Sequence, residues 1–363
     1  MSDENSVMTG EGKVEEVGLR LLGCAGKGDA AGVRLVLEEG IVEASYQCEA
    51  SGVSALMEAA KAGSVETVEL LLERGAPWNA LDRGGRCAGE YAYDAGSQAC
   101  VDALVDAGVR AQLLFGSLED SRSEVVPKKF LPPESTEYLG GGVHFEEGDD
   151  VLVDAAGDAV MMDWERPLME AHADVLTGSF PQEWCLPLAQ MELSVLNVGH
   201  GTGVVDGFIR DRRPKSHTIV EAHPAVLRRM REKGGFESAT LKPVKWQTAI
   251  ADPTFGPFDA IFFDTYAESY ADMKHFFETL PRILKKPHGI FSFFNGMCPF
   301  NVFFHGVACQ LVKVELQHIG LDIDYVPLKV DDLPETTWQH GRRPYWTFDT
   351  YHLPIARWKQ QPQ

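Results

Sequence analysis

The sequence predicts two parts: an all-helical repeat domain, then an α/β domain whose mainly parallel sheet carries helices on both faces. Three observations support this. The first hundred or so residues repeat with a period of 33. A glycine-rich turn, Asn197 to Gly203, follows an apolar strand candidate. From Leu193 onward, apolar strand candidates alternate with helical stretches, the pattern that builds parallel sheets, because a crossover helix must return the chain before the next strand can run the same way.

The repeat comes first in the chain. Gly52, Gly63, Val68, Leu71 and Gly75 recur 33 positions later as Gly85, Gly96, Val101, Leu104 and Gly108. An earlier copy, Gly28, Val33, Val36 and Gly40, is offset by 35. A period of 33 is that of ankyrin repeats. Gly52 to Ala60 reads as a turn and first helix, Val65 to Arg74 as the second helix, and Gly75-Ala76 as the turn after it. Such helix pairs bury their apolar faces only against neighbours, so a short array must cap itself or lean on the second domain. Residues 17–115 are thus assigned to ankyrin-like repeats, 116–133 to a linker ending in Pro132-Pro133, and 134–363 to the second domain.

A chain of 363 residues exceeds what one compact core usually holds. At 44% hydrophobic residues and a mean hydropathy of -0.15 it is globular. Its net charge of -21 and pI near 4.9 disfavour nucleic acid as a ligand and favour basic partners. No apolar run is long enough to span a membrane. The polar segment Met1 to Glu16 lacks a signal-peptide core, so an intracellular location, cytoplasm and nucleus, is expected. The seven cysteines (Cys24, Cys48, Cys87, Cys100, Cys185, Cys298 and Cys309) never form a Cys-x-x-Cys pair and read as reduced thiols. His172 and His223 have no partner at ligand spacing, so no metal site is expected.

Within the second domain, Val151 to Asp154 and Ala159 to Met162 flank Ala155 to Asp158 as a hairpin. Strands are expected at Leu193 to Val198, His217 to Val220, Phe258 to Phe263 and Gly289 to Phe294, with late strands at Leu321 to Val326 and Tyr345 to Tyr351. Helices are expected at Val204 to Arg210, Pro224 to Lys233 and Asp272 to Leu284.

Ligands of open parallel sheets sit at the carboxyl ends of the strands. Gly199, Gly201 and Gly203 lack a Cβ and let backbone approach a ligand closely. Val204 stands where a dinucleotide fingerprint requires glycine, which disfavours a pyrophosphate cofactor. A single nucleoside remains, and Glu221, about twenty residues on at the end of the next strand, suits its ribose hydroxyls.

Two carboxylates complete the pattern, Glu165 in Met161-Met162-Asp163-Trp164-Glu165-Arg166-Pro167-Leu168-Met169 and Asp264 in Phe262-Phe263-Asp264-Thr265-Tyr266. Acids beside aromatic and thioether side chains suit a flat cation such as a guanidinium. A guanidinium delocalises its lone pairs and stays charged at neutral pH. Carboxylates gripping its terminal nitrogens would hold the charge there and aim the internal nitrogen at a methyl donor. Positioning of this kind is worth roughly 7–11 kcal/mol of barrier. Asp264 is the expected proton acceptor, with Glu165 the alternative.

The stretch Leu196 to Gly203 resembles the first motif of S-adenosylmethionine-dependent methyltransferases. Glu221-Ala222-His223 is similar to their ribose-binding motif, and Val244 to Gln247 to their adenine-side loop. Val160 to Met169 and Asp264-Thr265-Tyr266 resemble guanidinoacetate N-methyltransferase and, more closely, the type IV protein arginine N5-methyltransferases of fungi and plants, which also carry ankyrin-like repeats. Ser292 to Gly296 and Tyr345-Trp346-Thr347 look like the same family. The resemblance implies a Rossmann-like class I methyltransferase fold with a seven-stranded sheet. It implies cofactor contacts at Tyr138, Met161, Met169, Gly199, His200, Gly201, Thr202, Gly203, Val204, Glu221, Ala222, His223, Trp246, Gln247 and Asp264. It also implies monomethylation of the internal nitrogen, because no Glu-x8-Glu loop of the kind that serves terminal-nitrogen methylation follows the fourth strand candidate, Gly289 to Phe294.

Two positions depart from the pattern. Asn197 stands where many methyltransferases carry an acid, and His200 where the relatives usually carry phenylalanine. Taken singly, Glu165 reads as a solvated helix acid, Asp264 as a helix cap, and Met161, Met169, Trp164 and Trp246 as core. Three functions follow: a protein arginine N5-methyltransferase whose repeats present basic, arginine-containing proteins; a small-molecule guanidino N-methyltransferase; or an inactive ankyrin interaction protein.

Overall fold

The computed structural model describes residues 10–115, 135–146, 151–181, 192–330, 333–342 and 344–360. The expected linker and Cys185 lie outside them. The chain forms two compact units, Met1–Ser123 with Asn301–Leu311, and Glu124–Phe300 with Val312–Gln363.

In the first unit, α1 (Gly10–Ala25) pairs with α2 (Ala30–Glu38), α3 (Ala55–Lys61) with α4 (Val65–Glu73), and α5 (Ala88–Asp94) with α6 (Gln98–Phe115). Each pair packs on the next through residues such as Val33, Leu56, Leu71 and Leu104, all fully buried. The repeat is visible in its punctuation. Gly63 and Gly96 take φ of +68° and +65°, the left-handed turn that ends the first helix of successive repeats. Equivalent helix starts use different chemistry: the Ser54 hydroxyl accepts from the Met57 amide at 3.2 Å, whereas at the next repeat the Glu90 carboxylate accepts from the Cys87 amide at 2.9 Å.

The boundary expected at 134 assigns Asn301–Leu311 to the second domain, but this segment groups with the repeats. Phe303 is fully buried there, and a Cβ on Gly89 would lie 2.0 Å from its ring. Asn301 donates to Glu90 Oε2 at 2.9 Å. The last repeat is therefore covered by residues some two hundred positions downstream.

The second unit begins with α7 (Ser135–Gly140) and a small antiparallel sheet, β1 (His144–Glu146), β2 (Val151–Val153) and β3 (Ala159–Met161). The expected hairpin is β2–β3, with Leu152 opposite Met161. Then come α8 (Arg166–Thr177), β4 (Ser194–Val198), α9 (Val204–Asp211), β5 (Ser216–Val220), α10 (Pro224–Lys233), β6 (Thr240–Lys242) and α11 (Trp246–Ala251). The chain continues through β7 (Ala260–Phe263), α12 (Tyr270–Ile283), β8 (Ile290–Phe293), α13 (Val302–His318), β9 (Leu321–Lys329) and β10 (Thr350–Trp358).

The large sheet has seven strands in the order β6-β5-β4-β7-β8-β10-β9. The first five are mutually parallel, and β10 runs antiparallel to both β8 and β9. This is a Rossmann-like sheet. Both its faces are buried, so the strands read as continuous apolar runs. Along β7, Ala260 and Phe262 enter one core while Ile261 and Phe263 enter the other. From β4 the chain moves outward to β5 and β6, then returns to β7 on the opposite side. That reversal opens a crevice at the carboxyl ends of β4 and β7.

One expected strand is displaced. Tyr345 to Asp349 lie outside β10, which starts at Thr350. Tyr345 and Trp346 line a cleft instead of pairing in the sheet, and alternation alone does not distinguish the two.

Candidate active site

Four loops meet above the crevice, one after each of β4, β5, β6 and β7. They enclose a cavity of about 670 Å3 whose walls include Gly199 and Gly201, Glu221 and Ala222, Val244 to Gln247, and Asp264 to Glu268. Tyr138, Leu139, Val160 and Met161 close its remaining side.

The turn after β4 is shaped by close backbone approach. Gly199 has φ +96°, and a Cβ there would lie 1.8 Å from the carbonyl oxygen of Asp264. Only glycine allows these adjacent loops to touch. Glu221, 8% exposed, accepts from the backbone amides of His200 at 2.8 Å and His223 at 2.6 Å. Two acceptor positions on its carboxylate remain for a ligand.

Beneath the turn lies a cluster built on the two departures. Asp206 of α9 is fully buried. The Asn197 amide donates to Asp206 Oδ2 at 2.8 Å and to the Gly199 carbonyl at 2.7 Å. His200 Nδ1 lies 2.6 Å from the same Oδ2, and His217 Nε2 lies 2.9 Å from Oδ1. Burial alone would raise the Asp206 carboxyl, but the two histidines overcome this and hold it down to about 2. The His200 ring thus faces Asp206 and Phe236 rather than the cavity.

A second, open cleft of about 1380 Å3 adjoins the first and shares Val160, Asp264, Thr265, Tyr266 and Glu268 with it. Glu165, Phe294, Phe300, Tyr345 and Trp346 are among its other walls. Both predicted carboxylates therefore line one cleft. Glu165 is 3% exposed, just before α8, so it is not a solvated helix acid. Tyr345 donates its hydroxyl to Glu165 Oε1 and accepts from Trp164 Nε1 at 2.9 Å. Burial raises the Glu165 carboxyl well above its usual range; Tyr345 opposes the shift and the Asp264 charge adds to it.

Asp264 is different. It does not cap α12, whose cap is Ser269 bonded to Asp272. Among the described residues its carboxylate has no hydrogen-bond partner. Burial, with the Asp206 charge adding, pushes it up to about 7.

Of the predicted cofactor contacts, Tyr138, Met161, Gly199, Gly201, Glu221, Ala222, Trp246, Gln247 and Asp264 share the first cavity. The others do not line it. Met169 is fully buried in the core beneath, His223 packs on the Tyr138 ring at 4.8 Å, and Thr202 donates to the sulfur of Met161 at 2.8 Å. Thr202, Gly203 and Val204 border a separate cleft beside Arg166 and Arg210, and His200 a small cavity beside Phe145. Glu268, which lines both cavities, and the link from Tyr345 to Glu165 were not expected from the sequence. Glu268 lies four residues after Asp264, just beyond the same motif, a nearness that could have drawn notice.

Comparisons with known proteins cover both units. Residues 21–113 match the ankyrin-repeat family in three copies, and residues 135–303 match the guanidinoacetate N-methyltransferase family. A protein from Cryptococcus neoformans named protein arginine N-methyltransferase 2 is 34% identical over 342 residues, 89% of this chain and 90% of its own length. Proteins of the same name from Emericella nidulans and Aspergillus fumigatus are 34% and 33% identical, covering 81% and 85% of this chain and 78% and 81% of their own lengths. Likeness that extends through both the repeats and the sheet domain means that this chain belongs to the protein arginine N-methyltransferase 2 family.

Proposed function

We propose that this chain uses S-adenosylmethionine to monomethylate the internal (N5, δ) guanidino nitrogen of arginine residues in protein substrates. The observation that carries this is the junction of the two cavities at Asp264, a partly buried carboxylate with no hydrogen-bond partner among the described residues, facing the same cleft as Glu165. A buried acid without a donor is costly unless a cation completes it.

The first cavity suits a nucleoside. Gly199 and Gly201 allow close approach, Glu221 offers acceptors to ribose hydroxyls, and Tyr138 and Trp246 add flat apolar walls. S-adenosylmethionine, when bound, supplies a methyl group carried on a positively charged sulfur. Glu165 and Asp264 then grip the terminal nitrogens of the guanidinium, leaving the alkyl-bearing nitrogen free to react. Tyr345 fixes Glu165 in place. The nitrogen's proton passes to Asp264, whose carboxyl near 7 is matched to that task at neutral pH.

The cleft also favours a protein-borne arginine. Among the described residues that line it there is no lysine, arginine or histidine, so nothing there would pair with the carboxylate of a small guanidino acid. The family match over residues 135–303 favours the small-molecule reading, and the acceptor decides between them. Arginine-containing basic proteins, presented by the ankyrin repeats, are the proposed partners.

The test is incubation with S-adenosylmethionine and either an arginine peptide or guanidinoacetate, followed by fragmentation mass spectrometry. The peptide should gain one methyl on Nδ. A methyl on a terminal nitrogen would overturn the regiochemistry, and methylation of guanidinoacetate alone would overturn the protein substrate.

A further inference from the structure

Glu268 is a partly buried acid that the chemistry above does not use. It sits in the walls of both cavities, directly after Ala267, which adopts φ +62°. A non-glycine residue in that left-handed region is strained and usually has a local reason. Here the turn brings the Glu268 carboxylate onto three donors. Its Oε1 accepts from Trp246 Nε1 at 2.6 Å and from Gln247 Nε2 at 3.3 Å, and its Oε2 accepts from the Thr265 hydroxyl at 2.6 Å. One side chain thereby ties the loop after β6 to the loop that carries Asp264.

The consequence lies in the Gln247 amide. A primary amide can present either its oxygen or its NH2 to a ligand, and its neighbours choose the orientation. An ionised carboxylate only accepts, so Glu268 draws the NH2 to itself. The Gln247 oxygen is then left as an acceptor, and it is buried with no donor among the described residues. An orphaned acceptor in a cavity wall is satisfied by a ligand N–H. The Trp246 indole N–H is spent on Glu268 as well, leaving the ring to the cavity as an apolar wall.

We propose that Glu268 is a positioning residue for base recognition: by fixing the Gln247 amide it makes this wall accept a 6-amino purine and reject a 6-oxo purine. The proposal rests on the nucleoside assignment of the first cavity. It concerns which base is admitted, and Glu268 acts through Gln247 rather than by touching the reacting atoms.

The test uses calorimetry on the full chain with two probes, S-adenosylhomocysteine and its deaminated analogue S-inosylhomocysteine. The wild-type protein should bind the adenosyl compound at least about tenfold more tightly, the worth of one well-made hydrogen bond. In Glu268→Gln the amide is no longer forced, so the ratio should fall toward one. Glu268→Asp keeps an acceptor-only group and should retain most of the ratio, and Gln247→Leu should abolish it. Thermal melting identifies the variants that are folded. If Glu268→Gln weakens both compounds equally, its role is only structural and the proposal is overturned. A wild-type ratio near one, or a full ratio in folded Glu268→Gln, overturns it too, while leaving the cofactor assignment intact. Failure of both compounds to bind the wild type would overturn that assignment and this inference together.

Discussion

Asp206 and Asp264 stand on opposite sides of the same glycine turn and meet opposite fates. Asp206 is surrounded by donors, with Asn197, His200 and His217 all within 2.9 Å of its oxygens. Among the described residues Asp264 has none, although burial penalises its charge as well. The first carboxylate holds its neighbours in place. We read a buried acid by its donors: one ringed by them supports the fold, and one without them is a candidate for a cationic ligand.

That contrast can be broken from either side. The largest effect is expected at Asp206. Asp206→Ala should cost about 3 kcal/mol of stability, since removing one partner strands the rest of a buried charged cluster. Denaturant unfolding measures it. A change below about 0.5 kcal/mol would mean the cluster is not structural.

Next in size are Glu165→Gln and Asp264→Asn, each expected to lower methyl transfer at least about 100-fold while the protein stays folded. Radiolabelled methyl incorporation measures this, and near-wild-type turnover in both would end the proposed grip. Tyr345→Phe should be milder, about tenfold in kcat, because Glu165 loses one orienting hydrogen bond but stays buried at the start of α8.

The smallest effects concern pH, and their signs oppose each other. Asp206 is depressed to about 2, so its stabilisation is present above the unfolded value near 3.9 and fades as pH falls through that window. Asp264 is raised to about 7, so the folded state holds a proton that the unfolded chain has lost between about pH 4 and 7. Its contribution therefore worsens as pH rises through that range. Asp264→Asn should raise the Tm by a few degrees at pH 8 and by less at pH 5, while abolishing activity. In the wild type, kcat/KM should fall as pH drops through about 7, because a protonated Asp264 cannot receive the cation.

Much of the site was legible in the sequence because its signals are local. The glycine turn, Glu221 at a strand end and the Asp264 motif each lie within a few residues of a strand that apolar runs reveal. What escaped depends on distant pairings. Tyr345 and Glu165 are 180 positions apart, and no periodicity links them. Asn197 and His200 looked like two independent departures from a family pattern. They prove to be one device, both turned toward Asp206, which a linear pattern cannot show. Residues 301–311 likewise betray no sign of their place over the last repeat, because Gly89 is small for a partner that arrives two hundred residues later. The cost of missing it is practical: a truncation at residue 110 would uncover Phe303, so the two-domain split suggested by the sequence is a poor guide to cutting the chain.

The most direct test is a crystal structure of the full chain with S-adenosylhomocysteine and an arginine peptide. The account predicts the nucleoside against Glu221 and Trp246, with the guanidinium bonded to both Glu165 and Asp264 and its internal nitrogen nearest the sulfur. A guanidinium bound elsewhere, or turned so that a terminal nitrogen faces the sulfur, would contradict it.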